Sequence, residues 1–488
     1  MLSTLFASAR TFWKPRLSYW GTLPGSMALG VFATVALIVA DNVGTGMLAL
    51  PGQIAKLGRA TGLCLLVTML IPNLYAALLL HRAATIVEQG SGLDNGGGGD
   101  GGGSDEERSA QALLLGPNAA TSPDDATGAK EPDRRHRVRD YAGLASALFG
   151  GGGLVSRATS FFYFFSVFAQ MSNYLVVLAQ TLQAALVGAL PLCRPYAGLL
   201  AALITFVLNQ LPSMDALGRG PAAASVAAVA VVGLLCLTPP AAAGSYKPAP
   251  TVPPTDALGR MLWVSSGIGG VTFAVSPTLV MLNTRHAMAV PAQLPRALLL
   301  GVGAYSAAFI ALVLLAGDAP PAFLFDLIPQ GGARRRVTAV LLFAHVAVSY
   351  AISSVALCSA ADRYLARRLL PRSLLGRRPR LRWAVLTTAA CLAAWLVANA
   401  APFFDGLVEL IGSVCVNSFF FPALFLRKAH ASSKRPLSAV ERAATGALMG
   451  GAVLLTTSGL TGAVVGIVHD WSGYGPPFAC HLNGTSGD

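Results

Sequence analysis

Eleven long apolar blocks run through the chain, and they constrain its fold more than any other feature. They occupy residues 28–52, 61–81, 155–183, 195–213, 221–239, 259–283, 294–316, 337–360, 383–402, 406–426 and 443–468. Each has about 20 residues or more, enough for a helix to cross ~30 Å of hydrocarbon. Charged residues make up only 12% of the chain, about half the fraction of a soluble protein. The sequence therefore predicts an all-α polytopic membrane protein with about eleven transmembrane helices.

The basic residues between these blocks predict the orientation in the membrane. Lys and Arg beside membrane spans tend to stay cytosolic. A cytosolic N-terminus places the segments 1–27, 82–154, 214–220, 284–293, 361–382 and 427–442 inside. Of these, 361–382 carries eight arginines between Arg363 and Arg382. Three consecutive arginines, 334–336, are the exception, because they fall on the outer side. The pattern accounts for most of the net charge of +13 and argues against a nucleic-acid partner.

The chain divides into segments with different expected environments. Residues 1–27 form a cytosolic N-terminal segment, 28–81 hold helices 1 and 2, and 141–468 hold helices 3 to 11. The insertion 82–140 is rich in Gly, Ser, Pro and charge without periodicity, which predicts a disordered cytosolic loop. Its GGGGDGGG run lacks the Gly-Lys-Ser/Thr ending of a phosphate-binding loop. Residues 469–488 form an extracytosolic tail.

Motifs typical of enzymes and metal sites are missing from the sequence. The seven histidines and seven cysteines form no HxxxH or CxxC pair, and no GxSxG is present. We therefore expect no enzyme activity, no metal and no cofactor. The order of the spans puts Cys193 and Cys480 in the same oxidising compartment, where they could form a disulfide if their Cα atoms lie within about 7 Å. Asn483 begins a glycosylation sequon in the same tail.

The first apolar block is interrupted by the stretch DNVGTGMLALPG at 41–52. Gly44 and Gly46 weaken the helix, and Thr45 suits the cap of a helix restarting near Met47. The sixth block has a comparable interruption, with three glycines between residues 267 and 270 and Ser276-Pro277. Broken helices are tolerated only where freed backbone groups face protein, water or ligand, and some transporters bind substrate there. Ordinary packing of small residues is the alternative.

An aspartate, Asp41, precedes the first interruption. An acid at mid-span costs at least ~2.5 kcal/mol, so it should face the bundle interior and have a partner. Two roles stay open for it. Asp41, with His345, is the candidate ion-coupling group, taking up and releasing a proton. The structural alternative is that Asp41 caps freed backbone N–H groups or pairs with His345. Glu409, nearer the outer end of the tenth block, is a further candidate for coupling.

Several stretches together resemble one transporter family. They are NVGTGMLALPGQIAKLGRATG (42–62), YAGLASALFG (141–150), LPSMDALGRGPAAASV (211–226), TFAVSPTLVMLNTRHAMAVPAQLPRAL (272–298), HVAVSYAISSVALCSAADRYL (345–365) and APFFDGLVELIGSVCVNSFFFPALFLRK (401–428). In order and spacing they are similar to the amino acid/auxin permease family of the amino acid-polyamine-organocation superfamily. The sequence of the first of these stretches, 42–62, is most similar to the proton-coupled and vacuolar branches of that family. The likeness extends over about residues 28 to 468, apart from the insertion.

The resemblance implies a fold, an activity and a site. The fold is a five-plus-five inverted repeat, leucine-transporter-like, with an eleventh helix and discontinuous helices 1 and 6. The activity is secondary active transport of amino acids, coupled to protons or, in some branches, to sodium. The implied substrate residues are Val43, Gly44, Thr45 and Gly46 for the carboxylate, Thr272, Phe273, Ala274, Val275 and Ser276 for the amino group, and Tyr174, Ser349 and Tyr350. The sequence Val275-Ser276-Pro277 departs from the motif usual in the family, which contains an aromatic residue and glycine.

Alternatives to this function stay open. A transporter-like amino acid sensor and a sodium-coupled transporter fit the same sequence. The membrane is expected to be vacuolar, another endomembrane, or the plasma membrane.

Overall fold

The described part of the chain is helical throughout. The computed structural model describes residues 28–93, 137–187, 189–190, 192–237, 253–317, 319–368, 378–400, 404–434, 436–471, 477–478 and 480. Those ranges contain no β-strand, and their extended pairing is limited to Leu29, which exchanges hydrogen bonds of 3.0 Å with Ala287 and Ala289. The predicted all-α class is confirmed.

The helices fall into two groups, before and after residues 238–252. The first group is α1 (Val31–Val43), α2 (Gly46–Lys56), α3 (Arg59–Leu93), α4 (Tyr141–Phe149), α5 (Leu154–Leu186), α6 (Arg194–Asn209), α7 (Met214–Arg219) and α8 (Pro221–Leu237). The second group is α9 (Ala257–Val275), α10 (Thr278–Ala287), α11 (Leu294–Leu315), α12 (Ala333–Arg368), α13 (Pro379–Ala400), α14 (Phe404–Ser413), α15 (Phe421–Ser432) and α16 (Ala439–Asp470). Short 3₁₀ turns lie at Pro291–Gln293 and Leu324–Leu327, and a π-helical turn lies at Val416–Phe420.

Most of the predicted spans are long enough to cross a bilayer. In the described ranges, eight helical segments are long and apolar enough, and the pair α1 and α2, bent by 49°, adds a ninth. The predicted spans 195–213 and 221–239 form α6 and α8, apolar helices of 16 and 17 residues. Both are shorter than the ~20 residues that a span ordinarily needs. The chain is a multi-pass integral membrane protein, and each of the eleven predicted blocks corresponds to a helix or a broken helix.

One predicted boundary is wrong. The insertion was expected to begin at residue 82, whereas α3 continues to Leu93. The helix persists because its polar side chains are bonded: Arg285 donates to both Thr85 and Glu88. Residues 94–136 of the insertion lie outside the described residues, as do the N-terminal segment 1–27 and Asn483.

Two of the three arginines that did not fit the charge pattern, Arg334 and Arg335, have local partners. Arg334 donates from Nε to the carbonyl oxygen of Leu235 at 3.1 Å. Arg335 donates to Asp326 at 3.0 Å and lies 4.4 Å from the centre of the Phe325 ring. Because these arginines bind groups of the protein itself, their presence on the predicted outer side does not argue against the predicted orientation in the membrane.

The C-terminal tail is attached to the loop before α6. Cys193 and Cys480 form a disulfide, with a Cα–Cα distance of 4.8 Å across 287 residues of sequence. Beside it, the backbone N–H of Phe478 donates to Asn399 at 3.3 Å, and the Phe478 ring packs edge-on against Trp395. The tail therefore joins the end of α13 to the start of α6.

We predict that this disulfide forms in the mature protein and stabilises it. Removing a native disulfide typically costs about 2–5 kcal/mol, so Cys480→Ser should lower the melting temperature of the detergent-purified protein. The matched control is Cys64→Ser, which removes a free, exposed cysteine and should leave the melting temperature unchanged. Non-reducing mass spectrometry should find the two peptides linked. Recovery of both thiols in alkylated form would contradict the prediction.

Candidate functional site

The first break separates α1 from α2. The helix ends at Val43 and restarts at Gly46, with Gly44 and Thr45 between. Thr45 does not cap α2 with its side chain, as the sequence suggested. Its hydroxyl accepts a hydrogen bond from Asn173 at 3.2 Å, while its carbonyl accepts from the backbone of Leu48 and Ala49. The break is therefore anchored to α5.

The second break separates α9 from α10. The residues between them, Ser276 and Pro277, are not helical. The freed carbonyl of Val275 accepts a hydrogen bond of 3.0 Å from the hydroxyl of Tyr305. The Ser276 hydroxyl is within 3.0 Å of Thr278 Oγ1 and 2.9 Å of Ser418 Oγ. Polar groups freed at the break are thus paired with the protein.

A third break, which the sequence analysis missed, interrupts the tenth span. The π-helical turn Val416–Phe420 separates α14 from α15. The Tyr141 hydroxyl donates to the carbonyl of Asn417 at 2.5 Å, and the Asn417 side chain donates to Ser166 at 2.8 Å. One signal was available in the sequence. Pro422 has no N–H, so it cannot make the helical hydrogen bond to the carbonyl of Ser418. A missing helical hydrogen bond is often accommodated by a π-helical turn.

A cavity lies where the three breaks meet. It is lined by Asp41, Asn42, Gly46, Gln170, Tyr174, Thr272, Phe273, Ser276, Leu279, Ile411, Gly412 and Ser418. Five of the substrate residues implied by resemblance are among them, namely Gly46, Tyr174, Thr272, Phe273 and Ser276. Asn42, Gln170, Leu279, Ile411, Gly412 and Ser418 are additions that the sequence did not predict.

The other implied substrate residues do not line this cavity. They are Val43, Gly44, Thr45, Ala274, Val275, Ser349 and Tyr350. Several of them hold the breaks in place instead. The Ser349 hydroxyl donates to the carbonyl of Ala40 at 2.7 Å. Ala274 packs against Gly46, where a Cβ atom would lie 2.9 Å from its Cα atom.

Asp41 lies in the wall of the cavity, with only 6% of its surface exposed. Its Oδ1 atom has no hydrogen-bond partner among the described residues. Its backbone carbonyl accepts from the Tyr174 hydroxyl at 3.3 Å, and that hydroxyl accepts from Gln170 Nε2 at 2.6 Å. The Asp41 side chain thus lines the cavity, and the described residues supply no hydrogen-bond donor to its Oδ1 atom.

Pairing with His345, one of the structural alternatives for Asp41, does not occur in the structure. His345 Nδ1 is 2.6 Å from the Ser225 hydroxyl, and neither imidazole nitrogen is hydrogen-bonded to Asp41. The reason is the packing of α12, whose residue facing α1 at this level is Ser349, one turn beyond His345. His345 instead joins α12 to α8.

A buried ion pair closes the protein at the far end of α2. Lys56 Nζ is 2.7 Å from Glu409 Oε1 of α14, and the two side chains are 10% and 9% exposed. Lys56 also donates to Ser266 at 3.0 Å and lies 4.3 Å from the ring centre of Trp263. Glu409 thus has a structural partner, and the pair connects α2 with α9 and α14.

A second buried ion pair lies on the opposite side, at the end of α10. Arg285 donates to both carboxylate oxygens of Glu88, at 2.6 and 2.8 Å. It also donates to His81 at 3.2 Å and to Thr85. Leu29, just before α1, pairs with the backbone immediately after α10, so α1, α3 and α10 meet here.

The family comparison identifies what this architecture belongs to. Residues 127–463 match the family model for transmembrane amino acid transporter proteins, which is well over half of the chain. The chain belongs to this family. No curated protein matches it. The likeness to the amino acid/auxin permease family is confirmed, and the family is one of transporters, not enzymes. The match covers the second and third breaks, while α1, α2 and α3 precede it.

Proposed function

We propose that the transporter carries amino acids by proton-coupled secondary active transport, with the substrate bound in the cavity where the three breaks meet. The observation that carries the proposal is the cavity itself, which is lined by helix ends and by Asp41, whose Oδ1 atom has no donor among the described residues. Discontinuous helices of inverted-repeat transporters bind substrate and coupling ions in this way. The two halves, α1 to α8 and α9 to α15, correspond to the repeats that the resemblance implies.

The cavity has places for both charged groups of an amino acid. The N-terminal end of α2 at Gly46, which lines the cavity, is the positive end of that helix's dipole and suits a carboxylate. The C-terminal end of α9, with Thr272 and Phe273 in the wall, is the negative end of that helix's dipole and suits an ammonium group. Leu279 and Ile411 provide apolar surface for a side chain.

The two ion pairs support alternating access. Lys56–Glu409 lies beyond one end of the cavity and Arg285–Glu88 beyond the other. Transport requires that each side open in turn, so the pairs would separate alternately. We expect the Arg285–Glu88 side to be cytosolic, in keeping with a cytosolic N-terminus.

Uptake into proteoliposomes tests the function directly. Labelled amino acids should accumulate when the outside is more acidic than the lumen, and accumulation should fall when the gradient is collapsed. If accumulation required a sodium gradient instead, the coupling ion would be sodium and not the proton. Binding without flux for every amino acid would favour a sensor and overturn the transport proposal.

We predict that Asp41→Asn keeps amino acid exchange but loses acceleration by an inward proton gradient. The amide has the shape of the acid but cannot take up a proton, so the cavity no longer carries one. The control is Glu441→Gln, which removes a carboxylate at the start of α16, away from the cavity. Exchange and gradient-driven uptake are measured on the same vesicles. If vesicles with Asp41→Asn accumulate substrate against its gradient as well as wild-type vesicles do, another group couples transport to the proton.

A further inference from the structure

Four of the five residues 137–141, the segment that leads into α4, are buried. Arg137 is 7% exposed, Val138 1%, Asp140 2% and Tyr141 0%. Two of these four side chains carry a charge, and burial of a charge is costly unless the group is paired or hydrogen-bonded. The partners of the segment therefore show which parts of the protein it holds together.

Two consecutive residues of the segment bind the two sides of the buried Arg285–Glu88 pair. The backbone N–H of Val138 donates at 2.8 Å to Glu88 Oε1, the same oxygen that accepts from Arg285. The Arg137 guanidinium donates to the carbonyls of residues 288 and 289, directly after α10, at 2.8 and 3.4 Å. Because hydrogen bonds act over only a few ångströms, α3 and the end of α10 cannot move apart while both sets of contacts persist.

The buried acid of the segment attaches it to a further helix. Asp140 Oδ1 accepts from the backbone N–H of Gly143 at 2.7 Å and so caps α4. The same carboxylate forms an ion pair with Arg363 of α12. The guanidinium supplies the counter-charge that a buried carboxylate needs, and the first turn of α4 is thereby fixed to α12.

The last residue of the segment supplies a hydrogen bond that the third break lacks. The carbonyl of Asn417 has no regular helical donor. In the α-helical register its donor would be Phe421, whose N–H is bonded to the carbonyl of Val416. In the π-helical register its donor would be Pro422, which has no N–H. The Tyr141 hydroxyl donates to this carbonyl instead, at 2.5 Å.

Tyr141 therefore connects the segment to the cavity. Ser418, the residue after Asn417, lines the cavity. The Tyr141 ring is also stacked on Tyr163 of α5, with the ring centres 5.4 Å apart. When the third break moves relative to α5, Tyr141 must either lose its hydrogen bond or leave this stack.

We propose that residues 137–141 act as a latch that holds the Arg285–Glu88 side of the transporter closed, with Tyr141 as the residue that positions the third break. The latch binds α3, the end of α10, α12 and the third break at once. Opening of this side separates these elements, so it requires that latch contacts break. Removing such a contact shifts the population towards the open state. The inference rests on the proposed function only for the existence of two alternately open states.

The test measures how fast a maleimide reaches a cysteine between the cavity and the latch. Asn283→Cys places a thiol on α10, two residues before Arg285, at a position that is 8% exposed. Ser266→Cys places one beside Lys56, at the opposite closure. Both are made in a Cys64→Ser background, which removes an exposed free cysteine. The purified proteins are labelled in detergent, and the background protein gives the rate of the buried cysteines that remain.

Two latch variants are expected to speed labelling on one side alone. Arg137→Met should raise the labelling rate of Asn283→Cys by about tenfold, because hydrogen bonds from a charged donor are lost. Tyr141→Phe loses only the hydroxyl group and should raise that rate by about two- to tenfold. Labelling of Ser266→Cys should not become faster in either variant. Arg137→Lys keeps a charged donor and should restore part of the slow labelling.

The control variant is Arg157→Met, which removes an exposed arginine at the start of α5 and should leave both labelling rates unchanged. Melting temperatures show which variants are folded. Unchanged labelling of Asn283→Cys in folded Arg137→Met and Tyr141→Phe would overturn the proposal. Equal acceleration at Asn283→Cys and Ser266→Cys would also overturn it, because the variants would then loosen the whole protein.

Labelling needs neither substrate nor proton, so failure of the latch can be told from failure of the proposed function. Faster labelling of Asn283→Cys in the latch variants, with no flux for any amino acid, would leave the latch standing without transport. Proton-driven uptake by the wild type, with labelling unchanged in folded latch variants, would leave transport standing without the latch.

Discussion

Replacing Gly46 by leucine is expected to abolish amino acid uptake. A Cβ atom at this position would lie 2.9 Å from the Cα atom of Ala274 and 3.2 Å from its Cβ atom. The nearest atom belongs to the backbone of α9, so it cannot move aside as a flexible side chain would. The two broken helices must separate locally, and the cavity that both of them line loses its shape. Uptake is measured in proteoliposomes at equal amounts of purified protein.

A matched control separates this effect from a general cost of leucine in a helix. Gly303 lies on the exposed face of α11, and no atom lies within 4 Å of a Cβ atom placed there. Gly303→Leu should retain normal uptake. Gly44→Leu should act like Gly46→Leu, since its Cβ atom would contact Tyr174 and Ser349. Near-normal uptake by Gly46→Leu would mean that the breaks tolerate separation and that the substrate site lies elsewhere.

Removal of Arg285 is expected to cause a large loss of stability. Arg285 is 2% exposed and Glu88 18% exposed, and the pair is bidentate. Arg285→Met leaves the Glu88 carboxylate without its counter-charge, and breaking a buried pair on one side costs about 3–5 kcal/mol. The melting temperature in detergent should fall accordingly. The double variant Arg285→Met with Glu88→Gln should recover part of the loss, because no buried charge then remains unpaired.

A more exposed ion pair, formed by another residue of α3, the helix that carries Glu88, provides the comparison. Arg82 and Glu441 are 2.6 Å apart but are 41% and 28% exposed, and exposed pairs contribute about 0–1 kcal/mol. Arg82→Met should therefore shift the melting temperature much less than Arg285→Met. Equal shifts for the two variants would show that solvent reaches Arg285 and that the pair is not a buried closure.

The breaks show how far local sequence can lead. Glycines and Ser276-Pro277 within apolar blocks indicated the first two breaks, because each of them weakens a helix at its own position. The third break at Val416–Phe420 was missed, since its surroundings are as apolar as an intact span. It depends partly on contacts from afar, such as the hydrogen bond from Tyr141 to the carbonyl of Asn417, 276 residues away in sequence.

The polar residues of the site show where sequence reasoning stops. Asp41 was expected to face the interior, and it does. His345, one of the partners considered for Asp41, instead contacts Ser225, and Gln170 lines the cavity although no sequence feature predicted it. A one-turn difference along α12 decides which residue faces α1, and sequence spacing alone does not fix how two helices are rotated against each other.

The sequence by itself determined that the chain is a multi-span helical membrane protein with weak points in the first and sixth spans. Transfer of an apolar segment into hydrocarbon depends mainly on its own composition, so a window of about 20 residues suffices to predict it. The tertiary structure alone decided which groups meet at the cavity and how its two ends are closed. Lys56 and Glu409 are separated by 353 residues in sequence and by 2.7 Å in space. Hydrogen bonds and ion pairs act only over a few ångströms, so such partners are set by the packing of distant helices.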